Sequence, residues 1–125
     1  MGLDMFLEAR MKHRTEEAAY WRKANAVHRW FVENVQNNED ECKPYVVTRE
    51  QLEDLVEDCM LVLSNRDDIE LIEQVLPTAS GFFFGGTQYD DWYFENVSYT
   101  VDKLKEVLEN PSYDENTEFV YQSSW

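Results

Sequence analysis

TEEAAYWRKANAVHRWFVENVQ, residues 15–36, decides how the first third of the chain is read. Thr15 can cap a helix whose first turn holds Glu16 and Glu17, favourable beside the positive end of a helix dipole. At about 100° per residue, Tyr20, Ala24, Val27, Phe31 and Val35 then make one apolar stripe. The spacing predicts a helix that runs to about Gln36. Arg22, Asn25 and Arg29 fall opposite that stripe, so two guanidiniums and an amide would converge above it. Trp21 and His28 flank one shoulder, Lys23 and Trp30 the other. Arginine forks hold phosphate or carboxylate, and aromatic faces stack a base or a cation, so the face has the two contacts a nucleotide needs. A plainer reading stands beside this one. Glu33 is four residues after Arg29 and can pair with it, while Arg22 has alanines at those positions and must find its partner elsewhere. His28, beside an apolar stripe, also reads as a structural histidine.

Working outward, Leu3, Met5, Leu7 and Ala9 alternate with polar or larger neighbours, which predicts a strand over 3–10. NNEDECKP reads as a polar loop and Tyr45–Val47 as a short strand after Pro44. Thr48 and Gln51 form a capping box before Leu52, Leu55, Val56, Cys59 and Leu63, at helical spacing. Asn65 is expected to cap a short helix carrying Ile69, Ile72 and Leu76, ended by Pro77. GFFFGG (81–86) reads as a strand or tight loop. Asp90 and Asp91 open a helix with Phe94, Val97, Val101, Leu104 and Leu108 on its stripe, stopped at Asn110 and Pro111. Phe119, Tyr121, Ser123 and Trp125 alternate in a C-terminal strand expected near the first. The fold class that follows is α+β, with about four helices on one small mixed or antiparallel sheet, in a single domain over 1–125.

The formal charge is −15, but it is unevenly spread. Residues 1–36 carry six bases and five acids; residues 37–125 carry five bases and 21 acids. Such a balance argues against direct binding of nucleic acid or an anionic membrane. It leaves room for a small anion in a local basic pocket, or for an acidic surface that occupies a basic protein; plain solubility explains the acidity too. No apolar run is long enough to span a bilayer, and Asp4 and Glu8 within MGLDMFLEAR are unlike a targeting peptide, so a cytoplasmic location is expected. Cys42 and Cys59 lack CxxC spacing and are expected as free thiols; no metal or other cofactor is expected.

A second aromatic cluster spans Phe82, Phe83, Phe84, Tyr89, Trp92, Tyr93, Phe94 and Tyr99. Three consecutive phenylalanines cannot share one face of a strand, so either both faces are covered or one ring sits in a pocket. GFFFGG is neither a Walker loop nor a GxGxxG turn, and no GxSxG or HExxH occurs, so no catalytic residue is assigned. His28 is the least implausible base. Trp92, Tyr93 and Trp125 are costly to expose, which keeps a homo-oligomer or partner interface open.

MGLDM, YWRKANAVHRWFVENVQ, LPTASGFFFGGTQYDDWYFENVSYT and YQSSW together resemble a family of small proteins encoded by bacteriophages and prophages. Ala79 stands where such families write Gln before Ser-Gly. The resemblance implies an infected bacterial host as the setting and brings no activity with it. A small phage protein without catalytic motifs implies interference with the host, including its antiviral defences. The expected function is sequestration of a small anionic, nucleotide-derived ligand by Trp21, Arg22, Lys23, Asn25, His28, Arg29, Phe82, Tyr89 and Trp92. The alternative is an acidic inhibitor, of DNA-mimic or anti-CRISPR type, on a host defence protein, using the surface around Glu53, Asp54, Glu57 and Asp58.

Overall fold

A computed structural model describes residues 2–81 and 85–125. Strand β1 (Asp4–Arg10) lies at the centre of a four-stranded sheet, between β2 (Thr15–Arg22) and β4 (Glu118–Ser124); β3 (Tyr45–Val47) pairs with the outer edge of β4. Every pairing is antiparallel. Leu3, Met5, Leu7 and Ala9 are buried, as their alternation requires, and Met5 and Leu7 lie opposite Ser123 and Tyr121 on β4. A one-residue slip would turn that whole row to water, so the buried face locks the register.

The helix expected over 15–36 is instead a strand followed by a helix. Thr15–Arg22 pairs with β1 through the short connection 11–14, and α1 covers only Asn25–Asn34. Glu16, Glu17, Ala18 and Ala19 favour helix in isolation, but pairing along an otherwise open edge of β1 overrides a propensity of tenths of a kcal/mol per residue. The register shifts between Leu7 and Glu8, leaving Ala18 as the extra residue of a bulge. Ala18 and Ala19 are therefore both buried, and the period-2 signal that would have marked a strand is broken. Beyond the bulge Trp21 turns inward and donates its indole N–H to Thr100 Oγ1 at 2.8 Å, while Tyr20 and Arg22 stay exposed.

Lys23 ends the strand. Its N–H donates to the Leu3 carbonyl at 2.7 Å and its φ of 55° is left-handed, which reverses the chain into α1. At the far end, Asn37 and Asn38 at φ 54° and 64° terminate the helix. Between these stops Phe31 stacks on Tyr121 of β4, with ring centroids 3.8 Å apart and planes 9° apart. Trp30 is also buried, and its indole N–H donates to Asp58 at 2.9 Å.

The remaining helices are α2 (Arg49–Leu63), α3 (Ile69–Val75) and α4 (Asp91–Glu109). Thr48 and Gln51 form both halves of their capping box, and Asp90 caps α4 through the Tyr93 N–H. Asp68, not Asn65, caps α3; the Asn65 amide donates to the Leu61 carbonyl at 2.8 Å. On α4 the buried stripe includes Tyr93, Val97, Thr100, Val101, Leu104 and Val107, so Phe94 and Leu108 sit at its margin. The helical side chains share one core with the inward face of the sheet. The other face of β1 and β2, bearing Asp4, Phe6, Glu8, Arg10, Tyr20 and Arg22, is exposed or half-buried. No helix among the described residues is long and apolar enough to cross a membrane.

Phe31→Ala empties the contact between α1 and the sheet centre and is expected to lower stability by about 3–5 kcal/mol, a large share of a typical domain's total. Glu57→Ala, exposed on α2, should stay within about 0.5 kcal/mol of the parent. Urea unfolding of the two variants measures both.

Candidate functional site

The reversal at Lys23 sets α1 with its N-terminus against the segment 78–89. Asn25 is buried and joins both ends of that segment: its amide N–H donates to the Gly86 carbonyl at 2.8 Å, and its amide oxygen accepts the Ala79 N–H at 3.0 Å. Thr78 Oγ1 donates to the Thr87 carbonyl at 2.9 Å, closing the same neck one step further out. Gly85, at φ +88°, passes so close that an added Cβ would lie 3.4 Å from the Lys23 Cβ. A side chain there would be strained by conformation and crowded by its neighbour.

Beside this neck lies a narrow cleft of about 20 Å³, continuous with solvent. Its floor is Ala24, Ala26, Val27, Tyr93 and Val97. Lys23, Asn25, Thr78, Gln88 and Asn96 bring polar groups to it, and Trp92, 52% exposed, lines it from the first turn of α4. No side chain caps α1, and its first turn holds no acid. The positive end of that helix therefore opens onto the same cleft that Lys23 lines. Asp90 accepts from the Tyr93 N–H, while Asp91 and Glu95 adjoin the lining residues Trp92 and Asn96 in sequence.

The residues named from sequence are distributed differently from the helical face expected for them. Lys23, Asn25 and Trp92 line the cleft. Arg29 lies at its edge, donating to the Thr78 carbonyl at 3.2 Å while its Nε pairs with Glu33 at 2.7 Å, the partner its spacing predicts. Tyr89 touches the same residue, its hydroxyl 3.4 Å from the Thr78 N–H, and packs edge-on against Tyr93. Arg22 does not converge with Asn25 and Arg29, because it stands on β2; it pairs with Asp4 at 2.9 Å on the sheet face that carries Tyr20. The Tyr20 hydroxyl, 2.5 Å from Asp4, and then Arg22 hold the Asp4 carboxyl below its usual range. Trp21 is buried against Thr100, Phe31 and Tyr99 and offers no stacking surface. Phe82, with Phe83 and Phe84, lies outside the described residues. Thr78, Gly86, Gln88 and Asn96 were missed by sequence reasoning; neutral amides and hydroxyls in three separate segments form no motif.

His28 is buried between two elements. Nδ1 is 2.7 Å from the Tyr121 hydroxyl and Nε2 is 2.8 Å from Asp40, so a neutral ring accepts from the phenol and donates to the carboxylate. Burial lowers its pKa, against the opposing pull of Asp40, and burial raises that of Tyr121. The pair ties the loop after α1 to the sheet centre, and neither ring faces the cleft lining. Cys59 is buried with its thiol pKa raised by desolvation, and Cys42 is exposed; both are free. Among the described residues no group of His, Cys, Asp or Glu is placed to hold a metal ion.

No family model, curated protein or solved structure matches the chain.

Because the folded pKa of His28 is depressed, the unfolded chain takes up a proton that the folded one refuses. Stability should therefore fall as pH drops below the ordinary histidine value of about 6.5, with a slope of up to about 1.4 kcal/mol per pH unit. His28→Gln should remove that component of the slope between pH 7 and 5. Urea unfolding across this range measures the difference.

Proposed function

We propose that the protein binds a small anionic, nucleotide-derived ligand in the cleft at the start of α1 and holds it without chemical change. The observation that supports this reading most is the joint placement of the uncapped α1 N-terminus and Lys23 at one cleft, in a chain of net charge −15. A phosphoryl oxygen there meets N–H donors, a helix dipole and an ammonium, each favouring negative charge. Trp92 gives a flat surface at the mouth for a base, and Gln88 and Asn96 can donate to and accept from its edge. The enclosed part of the cleft, about 20 Å³, has room for one water-sized group, so a phosphoryl oxygen would enter it and the rest of the ligand would lie outside against Trp92. Turnover has little to draw on: His28 is enclosed by Tyr121 and Asp40. Sequestration in the cytoplasm of an infected host, as a phage accessory or anti-defence activity, is the setting that the resemblance to phage-encoded proteins suggests.

The first test is native mass spectrometry of the protein after incubation with lysate from phage-infected cells, and with cyclic dinucleotides, nucleoside monophosphates and inorganic phosphate as defined probes. An intact nucleotide should be retained. Lys23→Gln and Trp92→Ala should each weaken its binding by about tenfold or more, whereas Arg22→Ala, whose partner is Asp4, should leave it within about threefold. Absence of any retained nucleotide, or loss of binding only in Arg22→Ala, would sink the assignment.

A further inference from the structure

The exposed side of α2 is strongly acidic. Residues 49–76 carry nine acidic side chains and two basic ones. Both bases have partners within the chain, though Arg66 stays exposed. Arg49 donates to the Leu108 carbonyl at 3.2 Å and to that of Tyr113, and lies over Phe119; the Arg66 guanidinium sits 5.1 Å above the Phe94 ring. Of the acids, Asp58 accepts from Trp30 and Asp68 caps α3. Among the described residues no acid of α2 or α3 takes part in an ion pair.

Three exposed apolar side chains interrupt this field, Met60 and Leu61 on α2 and Ile69, 43% exposed, on α3. Met60 and Leu61 are 43% and 44% exposed, although Leu52, Leu55, Val56, Cys59 and Val62 already provide α2 with a full buried stripe. At helical spacing Glu53, Glu57 and Met60 follow one another along a single line, with Asp54 and Leu61 on the adjoining line. The surface thus offers an apolar end flanked by carboxylates, which a wholly charged mimic of nucleic acid would not need.

We propose that this face of α2 is a docking surface for a cationic amphipathic helix of a partner protein. The partner's apolar stripe covers Met60 and Leu61, and its lysines or arginines lie along Glu53, Asp54 and Glu57. Charge complementarity selects this occupant. A second copy of the chain would set two acidic helices against each other, and an anionic surface would be repelled. Carboxylates along the turns before the apolar pair fix the sign of the partner and speed its approach, while the pair supplies the desolvated contact that holds it.

The test uses three peptide probes on the full chain: an amphipathic leucine–lysine helix, a scrambled peptide of the same composition, and the leucine–glutamate counterpart. Binding is read by fluorescence anisotropy at low and physiological salt. The amphipathic cationic peptide should bind about tenfold or more tightly than the scrambled one, and the acidic peptide should not bind. The Met60→Ser/Leu61→Ser variant should lose that advantage, while Glu53→Gln/Glu57→Gln should weaken binding and flatten its salt dependence. Lys23→Gln, at the separate cleft, should bind the peptide as the parent does. All replaced side chains are exposed, and circular dichroism confirms that the variants fold. Equal affinity for the scrambled peptide, indifference to the Met60/Leu61 change, or self-association through this face would each overturn the proposal.

Discussion

The architecture turns on a two-residue reversal. Trp21 must face inward, where its indole N–H meets Thr100, and α1 must begin almost at once if Phe31 is to reach Tyr121. Lys23 accomplishes this in the left-handed region, anchored by its N–H to the Leu3 carbonyl. Were the strand to run on, or the helix to start earlier, the aromatic contacts that join α1 to the sheet would be out of reach. The non-glycine left-handed conformation is a local cost that the surrounding packing offsets.

The same reversal determines what the site can be. The cap position of α1 falls to Ala24, a buried residue with no side-chain acceptor to offer the first-turn N–H groups. Asn25 is then used sideways, to fasten the neck of the segment 79–86, and both ends of its amide are occupied. Such a fully satisfied buried amide holds two chain segments in one relative position more firmly than an apolar contact of the same size would. The cleft walls are therefore positioned by backbone geometry and by one buried side chain, which is the kind of preorganisation that allows a small site to bind without rearranging.

Legibility in the sequence follows the range of the interactions. β1, β4, the capping box at Thr48 and the aspartate before α4 are local signals, and each is met by the structure. The stretch 15–22 is not legible in the same way, because Glu16, Glu17, Ala18 and Ala19 carry helical preference and the bulge at Ala18 removes the alternation. The preference yields to a neighbour that a window of sequence does not contain. The same applies to the site. Arg22, Asn25 and Arg29 look collinear only while the segment is one helix, whereas the cleft draws Lys23, Thr78, Gln88 and Asn96 together from four segments. Arg29 with Glu33 was readable for the opposite reason, being a contact inside one helix.

β1 and β4, the innermost strands, are also the first and last of the described strands. Asp4 lies opposite Ser124, and Tyr121 supplies the surface on which both Phe31 and His28 rest. During synthesis the β1–β2 hairpin emerges early, but the strand that completes its inner edge comes out of the ribosome after all four helices. Until then the row Leu3, Met5, Leu7 and Ala9 has no partner on that side, so a nascent chain stays open along its central seam. Folding must close the long loop between β1 and β4, a topology that favours slow, all-at-once acquisition of structure over stepwise folding.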